Sequence, residues 1–254
     1  MDTTFNNLSP IESSAVHFPK DDARKFLQVE AAHFWFTHRR DLILGYLQEH
    51  LGTSGKGLDL GCGSGYTTEW LAEKGYAMVG IDAYAPPITQ KPTLAFFQSG
   101  DIFSISPQAE FDFVLLLDVL EHIPNDKVFL ERAFEFLKPG GLLLMTVPAF
   151  EGLWTSIDDH AGHLRRYTLK TAHAILPPNN KTIVSTYFFF MTFPLYLLSR
   201  VRWLLNKKKP GNSELTLSPL PNLICGALCF LERLLLKFVS LPLGSSLLLL
   251  LRKS

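Results

Sequence analysis

From residue 56 onward the chain alternates two kinds of hydrophobic pattern. Short runs with little polar interruption lie at LDL (58–60), YAMVGID (76–82), FDFVLLLDVL (111–120) and LLLMTVP (142–148). They have the length and branched-apolar content of strands buried on both faces. PTLAFFQSGDIF supplies a further, shorter strand and its turn, and KTIVSTYFFF a sixth. The segments between them are helical. TTEWLAEKG closes on Gly75 as a C-cap, and Pro124 starts a helix with Phe129, Leu130, Ala133 and Leu137 at helical spacing. Strands and helices in alternation predict a parallel, doubly wound α/β sheet with helices on both faces and the ligand crevice at the carboxyl ends of the strands. LPLGSSLLLLLRKS is the candidate for a seventh strand, returning antiparallel beside the sixth.

The flanks read differently. Residues 1 to 19 are polar, carry Pro10 and Pro19, and predict a loose arm. A helical pattern then runs through FLQVEAAHFWF, and Thr37 is the expected N-cap of a second helix, HRRDLILGYLQEHL. Phe34, Trp35 and Phe36 serve either as core or as part of a lid. Between the sixth and seventh strands lie two greasy stretches, FPLYLLSRVRWLLNKKKP and NLICGALCFLERLLLKFVS. Neither is an uninterrupted apolar run of membrane-spanning length. Cys225, Cys229, Arg233 and Lys237 form one narrow stripe on the second, and Arg200, Arg202, Lys207, Lys208 and Lys209 flank the first. Such a pattern suits a helix lying in a membrane interface, or a flap against the domain or a second copy in a homodimer. The expected division is a helical cap over 1–51, the main domain over 52–190, a hydrophobic insertion over 191–240 and the final strand over 241–254.

Composition adds three constraints. Formal net charge is +0 over 254 residues, so no global field favours nucleic acid. Mean hydropathy is +0.13, and the excess lies mostly after residue 186. Three scattered cysteines make neither a disulfide framework nor a zinc cluster and suit a reducing cytoplasm. MDTTFNNLSP has no basic flank and no apolar centre, so no secretory leader is expected there.

The chemistry gathers at the strand ends. LDLGCGSGY places Gly61, Gly63 and Gly65 between a strand and a helix, where backbone N–H groups approach a ligand closely. A dinucleotide fingerprint would need another glycine at position 66, where Tyr66 stands; that disfavours a nicotinamide oxidoreductase. Asp82 follows about 20 residues after the glycines, the place for a carboxylate that accepts ribose hydroxyls. Asp118, Glu121 and His122 close the fourth strand. AFEGLWTSIDDHAGHLRRYT, a long connection without period, adds His160, His163, Arg165, Arg166 and Tyr167.

FWF with Arg39 and Arg40, LDLGCGSGY, GID, GDIF, LLLDVLEHIP, LKPGG and VP together resemble the class I S-adenosylmethionine (SAM) methyltransferases, a Rossmann-like seven-stranded fold. DVLEHIP is most similar to the branch of the ubiquinone-biosynthesis O-methyltransferases. The resemblance implies SAM as cofactor. It puts Asp59, Gly61, Cys62, Gly63 and Gly65 around the methionine moiety, with Arg39 or Arg40 on its carboxylate. Asp82 and Ala83 fall at the ribose, Asp101 and Ile102 at the adenine, and Leu117 and Asp118 along the site. In the quinone enzymes an acid-x-x-Glu-His turn can hold a divalent ion such as Mg2+. Here that set would be Asp118, Glu121 and His122, but the first acid is shorter, so the expected site holds no metal and the acids serve a helix N-terminus; a divalent ion is the alternative.

Methyl transfer needs alignment and an acceptor freed of its proton. His122, His160 and His163 are the candidate bases, and Arg166 and Tyr167 the groups facing the acceptor or pinning the loop. The expected function is O-methylation of a lipid-like or membrane-associated small molecule by a cytoplasmic enzyme, peripheral on the cytoplasmic face of the membrane. The alternative is a catalytically silent subunit of the same fold that binds a partner protein through the greasy insertion.

Overall fold

The computed structural model describes residues 27–84, 86, 88, 92–198 and 218–254. The predicted N-terminal arm and the basic flank from Arg200 to Lys209 lie outside the described residues. Seven strands form one sheet: β1 (Lys56–Leu60), β2 (Ala77–Asp82), β3 (Phe96–Ser99), β4 (Phe111–Leu117), β5 (Leu137–Pro148), β6 (Asn180–Phe188) and β7 (Ser246–Lys253). Their order is β3-β2-β1-β4-β5-β7-β6. β7 runs antiparallel to both neighbours, with Met145 opposite Leu249 and Leu249 opposite Ser185. The other strand pairs are parallel. The seven-stranded, doubly wound arrangement with an antiparallel last strand is therefore as expected.

Period-two alternation divides the apolar runs between two cores. Val114 and Leu116 of β4, with Leu143, Met145, Leu249 and Leu251, pack under α3 (Asp126–Glu135) and Tyr167. Phe113, Leu115 and Leu117, with Leu142, Leu144, Leu248 and Leu250, face the opposite way. There they meet Leu42, Ile43 and Leu47 of α1 (Phe34–Leu51) and Leu71 of α2 (Tyr66–Glu73). Because both faces are covered there, the buried stretches of β1, β4, β5 and β7 are almost wholly apolar. Asp59 of β1 is an exception and points to function.

α1 begins at Phe34 with His33 as its N-cap, four residues before the expected N-cap at Thr37. Its first N–H groups are capped by His33, whose Nδ1 accepts from Trp35 at 3.3 Å, and by Asn222, whose Oδ1 accepts from Phe34 at 2.8 Å. Asn222 belongs to α6 (Pro219–Leu236), so the cap is supplied across 188 residues. The Thr37 hydroxyl instead donates back to the Phe34 carbonyl at 3.0 Å, a mid-helix habit of threonine.

The long connection after β5 is also more ordered than its lack of period suggests. It holds α4 (Ser156–Ala161), started by a capping box in which Thr155 and Asp158 satisfy each other's end of the turn. The signal, Thr-x-x-Asp, was present in TSID. The short helix α5 (Leu169–Ala174) then leads into β6.

α6 packs against α1 with the wrong face by ordinary standards. Its buried residues are Cys225, Cys229 and Glu232. Glu232 bonds His38 of α1 at 3.0 Å and accepts the N–H groups of Phe189 at 2.6 Å and Met191 at 2.8 Å. Arg233 pairs with Asp41 at 3.1 Å. Meanwhile Leu220, Leu223, Ile224, Phe230 and Leu231 are exposed, as are Phe238 and Val239 beyond the helix. By length and composition alone α6, 18 residues at mean hydropathy 1.4, is long and apolar enough to cross a membrane.

Candidate active site

The site is built at the carboxyl ends of β1, β2 and β4, where the helix following each strand leaves a crevice. After Leu60 the chain turns sharply. Gly61 has φ +75° and Gly65 has φ +81°, backbone that side chains with a Cβ rarely adopt. A Cβ on Gly65 would also sit 2.4 Å from Ile88. Gly63 has no heavy atom within 4 Å of where its Cβ would be, so this part of the turn faces open space. Its N–H donates to Asp82 Oδ2 at 2.9 Å, and Asp82 Oδ1 accepts from Tyr84 at 3.0 Å. The carboxylate thus ties the glycine turn to the end of β2, with Ala83 exposed beside it. Burial raises the Asp82 pKa, partly offset by those N–H bonds.

Asp59 lies beneath the turn and is almost wholly buried. Its Oδ2 accepts from Thr68 at 2.6 Å, and its Oδ1 has no partner among the described residues. An orphaned buried carboxylate oxygen is costly and calls for a donor from a ligand. Burial pushes its pKa up to about 6. Cys62, in the same turn, is buried and its thiol pKa is raised by burial, which removes it as a nucleophile.

The Asp59 shift has a pH consequence in ligand-free protein. A folded pKa above the unfolded value means the folded state binds the extra proton. The resulting stability is full below about pH 4 and is lost as pH rises through about 6. Asp59→Asn should flatten stability across that window, with a difference of roughly 3 kcal/mol at most. Urea denaturation at pH 4.5 and pH 7.5 checks it; a wild-type change in stability that the substitution leaves untouched would reject the assignment.

Arg39 and Arg40 are buried rather than spread on a helix surface. Arg39 lies 4.6 Å over the Trp35 ring and pairs with Asp118, the residue after β4. Asp118 is held at φ +57°, an uncommon conformation for a residue with a Cβ, so the end of β4 carries backbone strain. Arg40 donates to the Glu30 carbonyl at 2.5 Å and stacks on Tyr66 at 4.8 Å. Glu30 itself bonds Ser64 in the glycine turn. The segment before α1 is therefore fastened onto the turn, and Arg40 does the fastening. Glu30 and Thr68 escaped the sequence reading because nothing in their local pattern marks contacts made across 34 and 9 residues.

Asp101 caps the 3-10 turn Ile102–Ser104 by accepting from Phe103 at 3.0 Å; Ile102 is buried behind it and Leu117 ends β4.

Beside this crevice the turn after β4 meets the loop after β5, where the Leu164 N–H donates to the Glu121 carbonyl. Glu121 is fully buried, and neither of its carboxylate oxygens has a hydrogen-bond partner among the described residues. Burial, then the Asp118 charge, raises its pKa well above the usual carboxylate range. The His122 and His163 rings lie 4.8 Å apart, edge to face. Burial, then His163, lowers the His122 pKa to about 4, so the ring is neutral at physiological pH. His163 Nδ1 bonds Asp158 Oδ1 at 2.8 Å, and Arg166 grips the same carboxylate with Nε at 2.8 Å and Nη2 at 2.9 Å.

Arg166 and Tyr167, expected to face the acceptor or to pin the loop, both make bonds within the fold. Arg166 is locked to Asp158 and to the Ala149 carbonyl at 3.1 Å. Tyr167 is buried with its hydroxyl on Asp126 at 2.8 Å. Of the three histidines, His160 is exposed on α4, away from the cluster that His122 and His163 form.

Strand order, glycine turn and crevice carboxylates define a protein of the class I SAM-dependent methyltransferase fold. The family model described as "Methyltransferase domain" matches residues 31–186, and the chain belongs to that family. It is 35% identical over 96 residues to a ubiquinone biosynthesis O-methyltransferase of Bradyrhizobium diazoefficiens, covering 35% of this chain and 38% of that protein. The chain spans 38 to 49% of the length of the curated relatives it matches. Two solved structures share the fold. The 1,6-didemethyltoxoflavin-N1-methyltransferase of Burkholderia thailandensis has TM-score 0.55 at 19% identity, with 92% of this chain and 83% of that one covered. The N-methyltransferase NodS of Bradyrhizobium japonicum, bound to S-adenosylhomocysteine, has TM-score 0.54 at 16% identity, with 92% and 97% covered.

Proposed function

We propose that the chain is a SAM-dependent methyltransferase acting on an oxygen of a lipid-like or membrane-associated small molecule, attached peripherally to the cytoplasmic face of a membrane. The donor half of this reading is supported by the orphaned Asp59 oxygen, the open face of Gly63 and the Asp82 carboxylate, whose chemistry fits an amine, a backbone-cradled chain and a ribose. SAM supplies a methyl group on a sulfonium; the protein's residues hold and orient it. The ubiquinone-pathway names of the relatives support an oxygen acceptor.

The observation that carries the membrane half is the inverted helix α6. It turns cysteines and a glutamate inward and its leucines and phenylalanine outward. Asn222 near its start and the buried Glu232 near its end fix α6 to the domain, which favours lying in an interface over crossing it. Each exposed Leu or Phe that enters the acyl boundary contributes roughly 1.5 to 3 kcal/mol at full burial. Lys207 to Lys209 add about 1 kcal/mol each near an anionic surface.

The protein should sediment with anionic vesicles, and salt should weaken that binding only in part. Replacing Leu223 and Phe238 by Ser should release it without lowering thermal stability, because both are exposed. Labelled SAM with a lipid extract then reads acceptor methylation. Protein left in the supernatant at low salt, with doubled mass by light scattering, would instead assign the face to a homodimer or partner protein and withdraw the lipid-like acceptor.

A further inference from the structure

The resemblance implies Asp118, Glu121 and His122 as a divalent-metal set. In this chain Asp118 is committed elsewhere, because its carboxylate is paired with Arg39. A different trio converges. Glu121 and His122, from the turn after β4, and His163, from the loop after β5, each bring one donor atom to within 4.8 Å of the others. We propose that Glu121, His122 and His163 form a site for a borderline divalent transition metal of the zinc class, with Asp158 positioning His163.

Three observations carry this. The first is the set of unsatisfied donors. Both Glu121 oxygens and His122 Nδ1 are buried without a hydrogen-bond partner among the described residues. A buried carboxylate with no direct partner is strongly disfavoured, and a cation beside it removes that penalty. Arg39 and Arg166 bear on Glu121 only through their charge, since each donates to another acid, Asp118 and Asp158.

The second is the orientation of His163. Its Nδ1 lies 2.8 Å from Asp158 Oδ1, so the ring donates there and leaves the Nε2 lone pair free. That Nε2 stands 4.0 Å from Glu121 Oε1. A carboxylate behind a histidine, fixing its tautomer, is the usual second layer of a metal site. Asp158 is itself fixed by Arg166 and by the Thr155 N–H at 2.7 Å, so the support does not depend on the ion.

The third is the chemistry of the donor set. Two imidazoles and one carboxylate favour zinc, cobalt, nickel or iron; Mg2+ prefers an all-oxygen octahedron. The fit thus argues for a metal but against Mg2+. Metal–ligand distances of about 2.0 to 2.2 Å put tetrahedral ligands roughly 3.3 Å apart, so the donors close in by about 1 Å on binding. Three protein ligands leave a position open for an oxygen. An ion there supplies Lewis acidity next to the crevice. That use rests on the methyl-transfer reading, whereas metal binding itself does not.

Chelator-stripped full-length protein is titrated with Co2+, read by its visible absorption and by metal retained after dialysis, and then challenged with Zn2+ and with millimolar Mg2+. One Co2+ per chain is expected, displaced by Zn2+ and not by Mg2+. His163→Ala and Glu121→Gln should lose at least about 100-fold in affinity and Asp158→Asn about 10- to 100-fold. His160→Ala should bind as wild type, and Asp118→Asn should retain one bound ion per chain. Circular dichroism and an S-adenosylhomocysteine titration on the same samples separate lost metal from lost fold or lost donor site. Should a ligand variant unfold, X-ray absorption on wild-type protein counts the imidazoles directly, and two are expected. The proposal is overturned if wild type retains no Co2+, if His163→Ala binds normally, or if Asp118→Asn abolishes binding.

Discussion

Asp82→Ala should weaken S-adenosylhomocysteine about 30- to 900-fold, the equivalent of roughly 2 to 4 kcal/mol. Asp82 ends β2, and both oxygens already accept from the backbone, one from Gly63 and one from Tyr84. A carboxylate oxygen has a second lone pair, so each can still accept from a ribose hydroxyl. Removing the side chain leaves those hydroxyls unpaired and also frees the glycine turn. The two effects separate by experiment. Calorimetric titration reads the affinity, and thermal denaturation without ligand reads the turn. An unchanged dissociation constant would show that the ribose is held elsewhere. A large loss of affinity with an equally large loss of stability would assign Asp82 to the turn rather than to the nucleoside.

Glu232→Ala should cost about 3 to 5 kcal/mol of folding stability, a typical penalty for removing one partner of a buried charged network. The side chain is fully buried and serves His38 and the N–H groups of Phe189 and Met191 at once. Truncation strands all three donors. It also removes the one fully buried tie between α6 and α1 among the described residues, leaving the Asn222 cap on Phe34 and the Arg233–Asp41 pair at the helix's margins. The Phe189 backbone has φ +61°, so the glutamate holds a strained corner as well. Glu232→Gln should recover part of the loss by keeping an acceptor oxygen. Urea unfolding measures both. A cost under about 1 kcal/mol for Glu232→Ala would mean that α6 is dispensable to the domain, and that its place on α1 is not fixed by this residue.

The sheet was legible because its strands obey one rule. A strand buried on both faces needs a nearly continuous apolar run, and FVLLL or LLLM supplies one without reference to any other part of the chain. The glycine turn and Asp82 were legible for a similar reason. Their spacing is set by one βαβ unit, so cause and signal are close in sequence. What sequence could not reveal are features whose cause is far away. Asn222 moves the start of α1 by capping Phe34. Arg39 is drawn off by Asp118, 79 residues along the chain, whereas Arg166 meets Asp158 only because the intervening segment coils into α4. In isolation each arginine is a long cation seeking an acid, and only the fold decides which acid is nearest. α6 was misleading in a more informative way. Its narrow stripe of Cys225 and Cys229 reads as the minor face, yet it is the face that packs. Burial follows what the neighbours can satisfy, and His38 together with two backbone N–H groups asked for a glutamate.

The place of β7 has a consequence for how such a chain is made. It sits between β5 and β6, pairing with both along nearly its whole length. A ribosome delivers β6 well before β7, so the emerging β6 has no ladder to join, and β5 presents a bare edge of Leu142, Leu144 and Val147. Until Leu247 to Leu251 arrive, both strands are open templates for pairing with other chains. Residues 246–253 therefore act as the latch of the biosynthetic order. Loss of even their last turn of ladder, through truncation or a bulky fusion, should leave a chain that collects in inclusion bodies rather than a shortened but soluble domain.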